Sequence, residues 1–194
     1  MIRELKLSDL KDVLRLNNAS IPAVNELNSK DLEEIVMMSR KSWVIESEGS
    51  IVASLLILGP GESYQSNNYT WLEKQFTNFC YVDRIMVDAQ AKRQGFGKQL
   101  YETLEVYAIE QKAEILLCEV NIEPPNPQSL AFHINLGWEP FHVREHGPKK
   151  KVQYLNNEDV NFLIVHCSDT PDQEDLNALD IHKMHKSFGW EGVG

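Results

Sequence analysis

The apolar and polar positions of this chain change period several times, and each change marks an element. Ile2-Arg3-Glu4-Leu5-Lys6-Leu7 alternates with a period of two, as a short half-buried strand does. Ser8 or Asp9 is then placed to cap a helix carrying Leu10, Val13, Leu14 and Leu16. Asn17 to Asn28 is polar and broken by Pro22, which predicts a loop, and helical spacing returns from Lys30 to Arg40 through Leu32, Ile35, Val36 and Met38. Two apolar runs, Trp43 to Glu46 and Ile51 to Leu58, flank Ser47-Glu48-Gly49-Ser50 and predict a hairpin. The second run has no polar face, so it predicts a central strand covered on both sides.

Gly59-Pro60-Gly61 ends that strand, and Glu62 to Asn78 mixes Tyr64, Tyr69, Trp71 and Phe76 with Asn67-Asn68. A connection of this length is either a functional lid or a loop pinned by its own aromatic rings. Asp83 to Val87 reads as a strand, and Leu100, Leu104 and Tyr107 give a helix behind it. Ala113 to Val120 is the next strand, and Asn126 is placed to cap a helix that starts at Pro127. Trp138 to Val143 and Lys149 to Leu155 form a hairpin across His146-Gly147-Pro148, with Phe162 to Val165 available as one more strand. Thr170-Pro171 opens a last helix through Leu176, Leu179, Met184 and Phe188, packed back on the domain or against a second subunit as a homodimer. The expected fold is a single α/β domain, a mixed and largely antiparallel sheet flanked by helices over residues 1–166, with a helical extension at 167–194.

The formal net charge of −10 argues against a general nucleic-acid binder, which would carry a basic face. No apolar stretch reaches membrane-spanning length, and no basic start precedes an apolar run. Cys80, Cys118 and Cys167 are odd in number and sit in apolar runs, so they read as buried thiols of a reducing cytoplasm. Lys149-Lys150-Lys151 reads as a solvated hairpin edge, and His182 and His185, with His166 and Cys167 upstream, read as surface residues rather than a metal site.

Candidate chemistry concentrates between the strand at Asp83 and its helix. Lys92-Arg93-Gln94-Gly95-Phe96-Gly97-Lys98 is a glycine turn feeding a helix, which points unpaired N–H groups and a positive dipole end at one spot, as an anion site requires. A P-loop would need glycine at Lys92 and Ser or Thr at Gln99, and a dinucleotide fingerprint would need glycine at Leu100. Both fail, leaving either a phosphate turn of another kind or a plain turn into a core helix.

Lys92-x-x-Gly95-x-Gly97 after a strand ending in Val87 resembles the acyl-CoA pyrophosphate loop of the GNAT superfamily of N-acetyltransferases, with Lys92 where the family prefers Arg or Gln. A second segment adds to it: Leu117 to Val120, Asn126-x-x-Ser129, Phe132-His133 and Leu136-Gly137-Trp138 follow in the family's order. The resemblance runs from about Ile2 to Leu155, with a longer junction before Asn126 than is usual. It implies acetyl-CoA as cosubstrate, with its pyrophosphate on Gly95, Phe96 and Gly97 and phosphate charge met by Lys92, Arg93, Gln94 and Lys98. It also implies a pantetheine arm along the backbone of Ile85, Met86 and Val87, polar contacts at Asn126 and Ser129, and central strands that splay where the cofactor enters. The family's usual acid is a Tyr, and His133 stands at the corresponding place. A strand carboxylate often serves as base; Asp83, two and four residues before Ile85 and Val87, is expected to share their face, with Glu119 in reserve. The implied activity is direct acetyl transfer to the primary amine of a small molecule or amino-acid-like acceptor. Its rivals are a catalytically silent acyl-CoA-binding domain and a protein N-terminal or lysine acetyltransferase.

Overall fold

The computed structural model describes residues 1–158. Seven strands form one sheet in the order β1-β2-β3-β4-β5-β7-β6, with β1 at Ile2–Glu4, β2 at Lys41–Ser47, β3 at Ser50–Leu58, β4 at Phe79–Val87, β5 at Ile115–Glu123, β6 at Glu139–Glu145 and β7 at Lys151–Asn157. Five helices cover it: α1 (Leu10–Ala19), α2 (Ser29–Met38), α3 (Asn67–Glu73), α4 (Phe96–Glu110) and α5 (Pro127–Asn135). The expected mixed α/β architecture is the one observed. The strand of Phe162 to Val165 and the helix from Thr170 lie outside the described residues, as do Cys167, His182 and His185.

Local chemistry explains most boundaries. Asn28 caps α2 by accepting from the Asp31 N–H, and Ser66 caps α3 by accepting from the Tyr69 N–H. Asn126 caps α5 by accepting from the Ser129 N–H at 3.3 Å, with Pro127 in the first turn as expected. The cap expected at the start of α1 is not made. The Asp9 carboxylate instead accepts from Arg3 at 2.7 and 3.0 Å and from the Lys6 N–H, and the guanidinium holds it below the usual carboxylate range.

On one face of the sheet, Leu55, Ile57, Cys80 and Val82 pack against Leu100, Leu104 and Ala108 of α4. On the other, Val13, Leu16, Leu32 and Ile35 of α1 and α2 cover Leu56 and Met86, while Tyr69 and Leu72 of α3 cover Phe79, Tyr81 and Tyr154. β3 is therefore buried on both faces, as its unbroken apolar run predicts.

Three features depart from the sequence reading. β4 starts at Phe79, four residues before the expected strand, because Phe79 to Val82 is wholly buried core. β7 lies between β5 and β6, so the terminal hairpin joins the sheet by its second strand. The stretch from Glu62 to Asn78 contains α3 rather than being loop throughout, and Tyr69 pins it. That ring is fully buried; its hydroxyl donates to the Gly59 carbonyl at 2.7 Å and accepts from the Glu62 N–H at 2.9 Å. Of the two readings of this stretch, the structure shows the pinned wall.

Replacing Tyr69 by Phe keeps the ring packing and strands both backbone groups. The expected loss is about 1–3 kcal/mol, read as a lower urea midpoint at unchanged m-value. An unchanged midpoint would show that the hydroxyl does not pin the segment.

Candidate active site

The site forms because two neighbouring strands part. β4 and β5 pair in parallel from Phe79 opposite Ile115 to Val82 opposite Cys118, and both then run on without pairing each other. The cause is a bulge in β4. Opposite β3, Ile57 meets Val82 and Leu56 meets Arg84, so Asp83 is an extra residue without a counterpart. Between the parted strands lies a cavity of about 140 Å³, bounded by Val82 to Ile85 on one side and Cys118 to Asn121 on the other.

The bulge also changes the expected role of Asp83. Alternation places Asp83 with Ile85 and Val87, but the inserted residue breaks the alternation. Ile85 and Val87 pack toward the α4 face, whereas the Asp83 carboxylate accepts from Arg84 Nε at 2.6 Å, both side chains being almost fully buried. Arg84 goes on to donate to Asn17 of α1 at 2.7 Å. The buried charge of Asp83 is thus met by its chain neighbour.

Glu119 is in a different state. Its Oε1 accepts from Asn68 Nδ2 at 2.8 Å and from the Tyr81 hydroxyl at 3.0 Å. Its Oε2 is shut off from bulk solvent and has no hydrogen-bond partner among the described residues, although the residue borders the cavity. Burial pushes this carboxyl up to about 7, and the Tyr81 and Asn68 bonds offset part of that rise. A carboxyl half ionised near neutrality with one unengaged oxygen is suited to accept a proton. The sequence signal was there: a lone charge inside the apolar run from Ile115 to Val120.

His133 borders the cavity from α5, and its ring is fully engaged. Nδ1 donates to the Ser129 carbonyl at 2.7 Å, which leaves Nε2 to accept from the Tyr101 hydroxyl at 2.6 Å. Burial lowers its pKa, so the ring is neutral in this arrangement. Phe132, His133 and Trp138 each meet Tyr101 edge-on at 5.4–5.6 Å, which is the packing behind the Phe-His and Gly-Trp pairs of the sequence. Cys118, also at the cavity, has its thiol held well above the ordinary range by burial and offers no thiolate nucleophile.

The glycine turn leaves its backbone open at the start of α4. Gly95 caps α4 with φ +84° and no side chain, so the first-turn N–H groups of Phe96, Gly97 and Lys98 point outward. A Cβ at Gly97 would stand 3.0 Å from the Phe132 ring, so this glycine permits the approach of α5 to α4. Lys92, Arg93, Gln94 and Lys98 are exposed around the turn. Beyond Val82, the β5-facing edge of β4 at Ile85, Met86 and Val87 has no strand partner, while the Met86 side chain is buried on the α1 side. Asn126 and Ser129 border the cavity from the start of α5.

The acetyltransferase (GNAT) family model matches residues 10–138, and the chain belongs to that family. It is an acetyltransferase, and the family's cosubstrate is acetyl-CoA. A ribosomal-protein-alanine N-acetyltransferase from Brucella melitensis is 20% identical, with a TM-score of 0.64 over 81% of this chain and 99% of that one. A protein described as a phosphinothricin N-acetyltransferase is 18% identical, with a TM-score of 0.63 over 81% and 97%. The yncA protein of Salmonella typhimurium, whose structure holds acetyl-CoA, is 13% identical, with a TM-score of 0.61 over 90% and 97%. At these identities the likeness concerns the fold. No curated protein matches the sequence. Among the described residues, no helix is long and apolar enough to cross a membrane.

The raised carboxyl of Glu119 has a stability consequence with a definite sign. The folded state binds the proton more tightly than the unfolded chain, whose carboxyl titrates near 4.5. The contribution is therefore fully present below 4.5 and is lost as pH rises through about 7. Glu119→Gln removes the charge and keeps an acceptor for Asn68 and Tyr81. It is expected to be more stable than the parent at pH 8 by about 1–3 kcal/mol, with the gap narrowing toward pH 4.5 in denaturant titrations. Equal stability at pH 8 would show that the carboxylate is not loaded by burial.

Proposed function

We propose that this enzyme transfers acetyl directly from acetyl-CoA to the primary amine of a small or amino-acid-like acceptor, with Glu119 as the proton acceptor. The observation that carries this reading is Glu119, which borders the cavity between β4 and β5 and whose Oε2 has no hydrogen-bond partner among the described residues. The parted edge of β4 receives the pantetheine arm, and the N–H groups at Gly95 to Lys98 receive the pyrophosphate, with Lys92 and Arg93 beside it. Asn126 and Ser129 meet the arm from α5. The amine reaches the cavity from the Tyr64 and Asn68 side.

Glu119 Oε2 takes a proton from the amine as nitrogen attacks the thioester carbonyl carbon. The C–S bond then breaks, and the thiolate of CoA leaves. A thiolate is a far weaker base than an amine, so it is the group expelled, and it takes its own proton afterwards. His133 is better matched to a packing role than to the acid role its position implies, because its Nδ1 proton is committed to Ser129 and Nε2 to Tyr101. Asp83 neutralises Arg84 and keeps the bulge in place. The buried, protonated thiol of Cys118 supports direct transfer over an acyl-enzyme.

A small acceptor is favoured by the wall opposite β5. Asn121 Nδ2 donates to the Pro22 and Ala23 carbonyls at 3.3 and 3.2 Å, and Asn17 Nδ2 donates to the Asn25 carbonyl at 3.0 Å. These amides fasten the α1–α2 connection across the acceptor side, where an extended peptide would need an open groove.

The test is a panel of small amines and of peptides with acetyl-CoA, read as released thiol. The expected outcome is turnover of small amines over peptides. Glu119→Gln should lower kcat by about 10²–10⁴ while acetyl-CoA still binds. Full turnover by that variant would remove Glu119 from the chemistry. Acceptance of peptides alone would replace the acceptor class, and cofactor binding without any turnover would mark a silent domain.

A further inference from the structure

Glu119 does not present its free oxygen by itself; a chain of side chains from two other elements holds it. The Tyr154 hydroxyl on β7 donates to Asn68 Oδ1 at 2.7 Å. With Oδ1 turned to that hydroxyl, the Asn68 Nδ2 donates to Glu119 Oε1 at 2.8 Å. The Tyr81 hydroxyl on β4 donates to the same oxygen at 3.0 Å. Both donors converge on Oε1, and Oε2 has none among the described residues.

From this geometry we infer that Asn68 and Tyr154 are positioning residues for the acetyl transfer, which aim the Glu119 carboxylate and keep it ionisable. The inference rests on the proposed role of Glu119. It gives the segment from Glu62 to Asn78 a second task, because α3 carries Asn68 over β5 as well as walling the acceptor side.

Oε1 carries two donated hydrogen bonds and is the poorer place for an incoming proton, so the amine's proton goes to Oε2. An amide can turn about its last bond and present oxygen instead of nitrogen. An oxygen facing Oε1 would repel the carboxylate and favour its protonated form. The Tyr154 hydroxyl disfavours that turn: it already receives Arg144, its phenol is held neutral by burial, and turning the amide would forfeit its 2.7 Å donation to Asn68 Oδ1. The other charged and titratable groups near the carboxyl come from β4, β6 and the residues around the cavity. Asp83 and Arg84 neutralise each other on β4, Tyr64 lies against that pair, Arg144 of β6 reaches the Tyr154 hydroxyl, and Lys150 borders the cavity.

The experiment compares Tyr154→Phe and Asn68→Ala with the parent, using whichever amine the panel identifies and following kcat/KM from pH 5.5 to 9.5. Tyr154→Phe preserves the buried ring. Asn68→Ala removes the donor outright and is the second arm, should the first variant fold poorly. Both are expected to move the acid limb of the profile to higher pH by about one unit, with kcat at pH 7 reduced about 5- to 10-fold and the KM for acetyl-CoA unchanged. In the Glu119→Gln background, either change should have no further effect on the residual rate. A merely structural role would lower kcat at every pH and would persist in that background; either result overturns the inference. If Glu119→Gln alone keeps full activity, the proposed base falls and this inference falls with it. If Glu119→Gln is impaired but neither variant moves the limb, the positioning role alone is lost.

Discussion

Parallel pairing between β4 and β5 ends at Val82 and Cys118, and the rest of the site depends on that break. An unbroken ladder would satisfy the backbone groups of Ile85 to Val87 and close the space between the strands. The inserted residue at Asp83 prevents this, and its cost is a buried carboxylate. The Arg84 guanidinium at 2.6 Å makes that burial tolerable, and Asn17 and Tyr64 occupy what remains of the guanidinium. Two residues adjacent in the chain thus neutralise each other at the point where the sheet opens. Breaking a buried pair of this kind leaves a lone charge, which typically costs about 3–5 kcal/mol.

The two carboxylates beside the cavity show how environment assigns roles. Asp83 has a full cationic partner and is spoken for. Glu119 has only neutral donors, both on one oxygen, and burial raises it to about 7. The difference arises from neighbours on α3, β4 and β7 that are distant in the chain from Glu119. A carboxyl tuned close to neutrality is costly to folding at high pH and useful to proton transfer, a trade common to catalytic acids and bases.

On the cofactor side the logic is one of backbone access. Gly95 supplies the left-handed turn that caps α4 without a side chain, and Gly97 lets Phe132 close against α4. Phe132 belongs to the same cluster as Tyr101, His133 and Trp138, so the glycine turn and the helix that borders the cavity share one packing unit. His133, fixed at both nitrogens, is a strut of that unit.

The sequence by itself determined the elements whose signals are local. The alternation at Ile2, the apolar run of β3, the glycine turn and the Asn126-Pro127 helix start all depend on neighbours a few residues away. Together they were enough to read the α/β class and the resemblance to the family. The longer-range partners of the titratable groups were decided by tertiary structure. A one-residue bulge reversed the face of Asp83, Tyr101 came from another helix to occupy His133, and Asn68 and Tyr154 came from α3 and β7 to orient Glu119. Periodicity records which side chains are buried, because burial repeats along an element. Hydrogen bonds between residues 30 to 90 positions apart, which set each proton's place, leave no periodic trace in the chain.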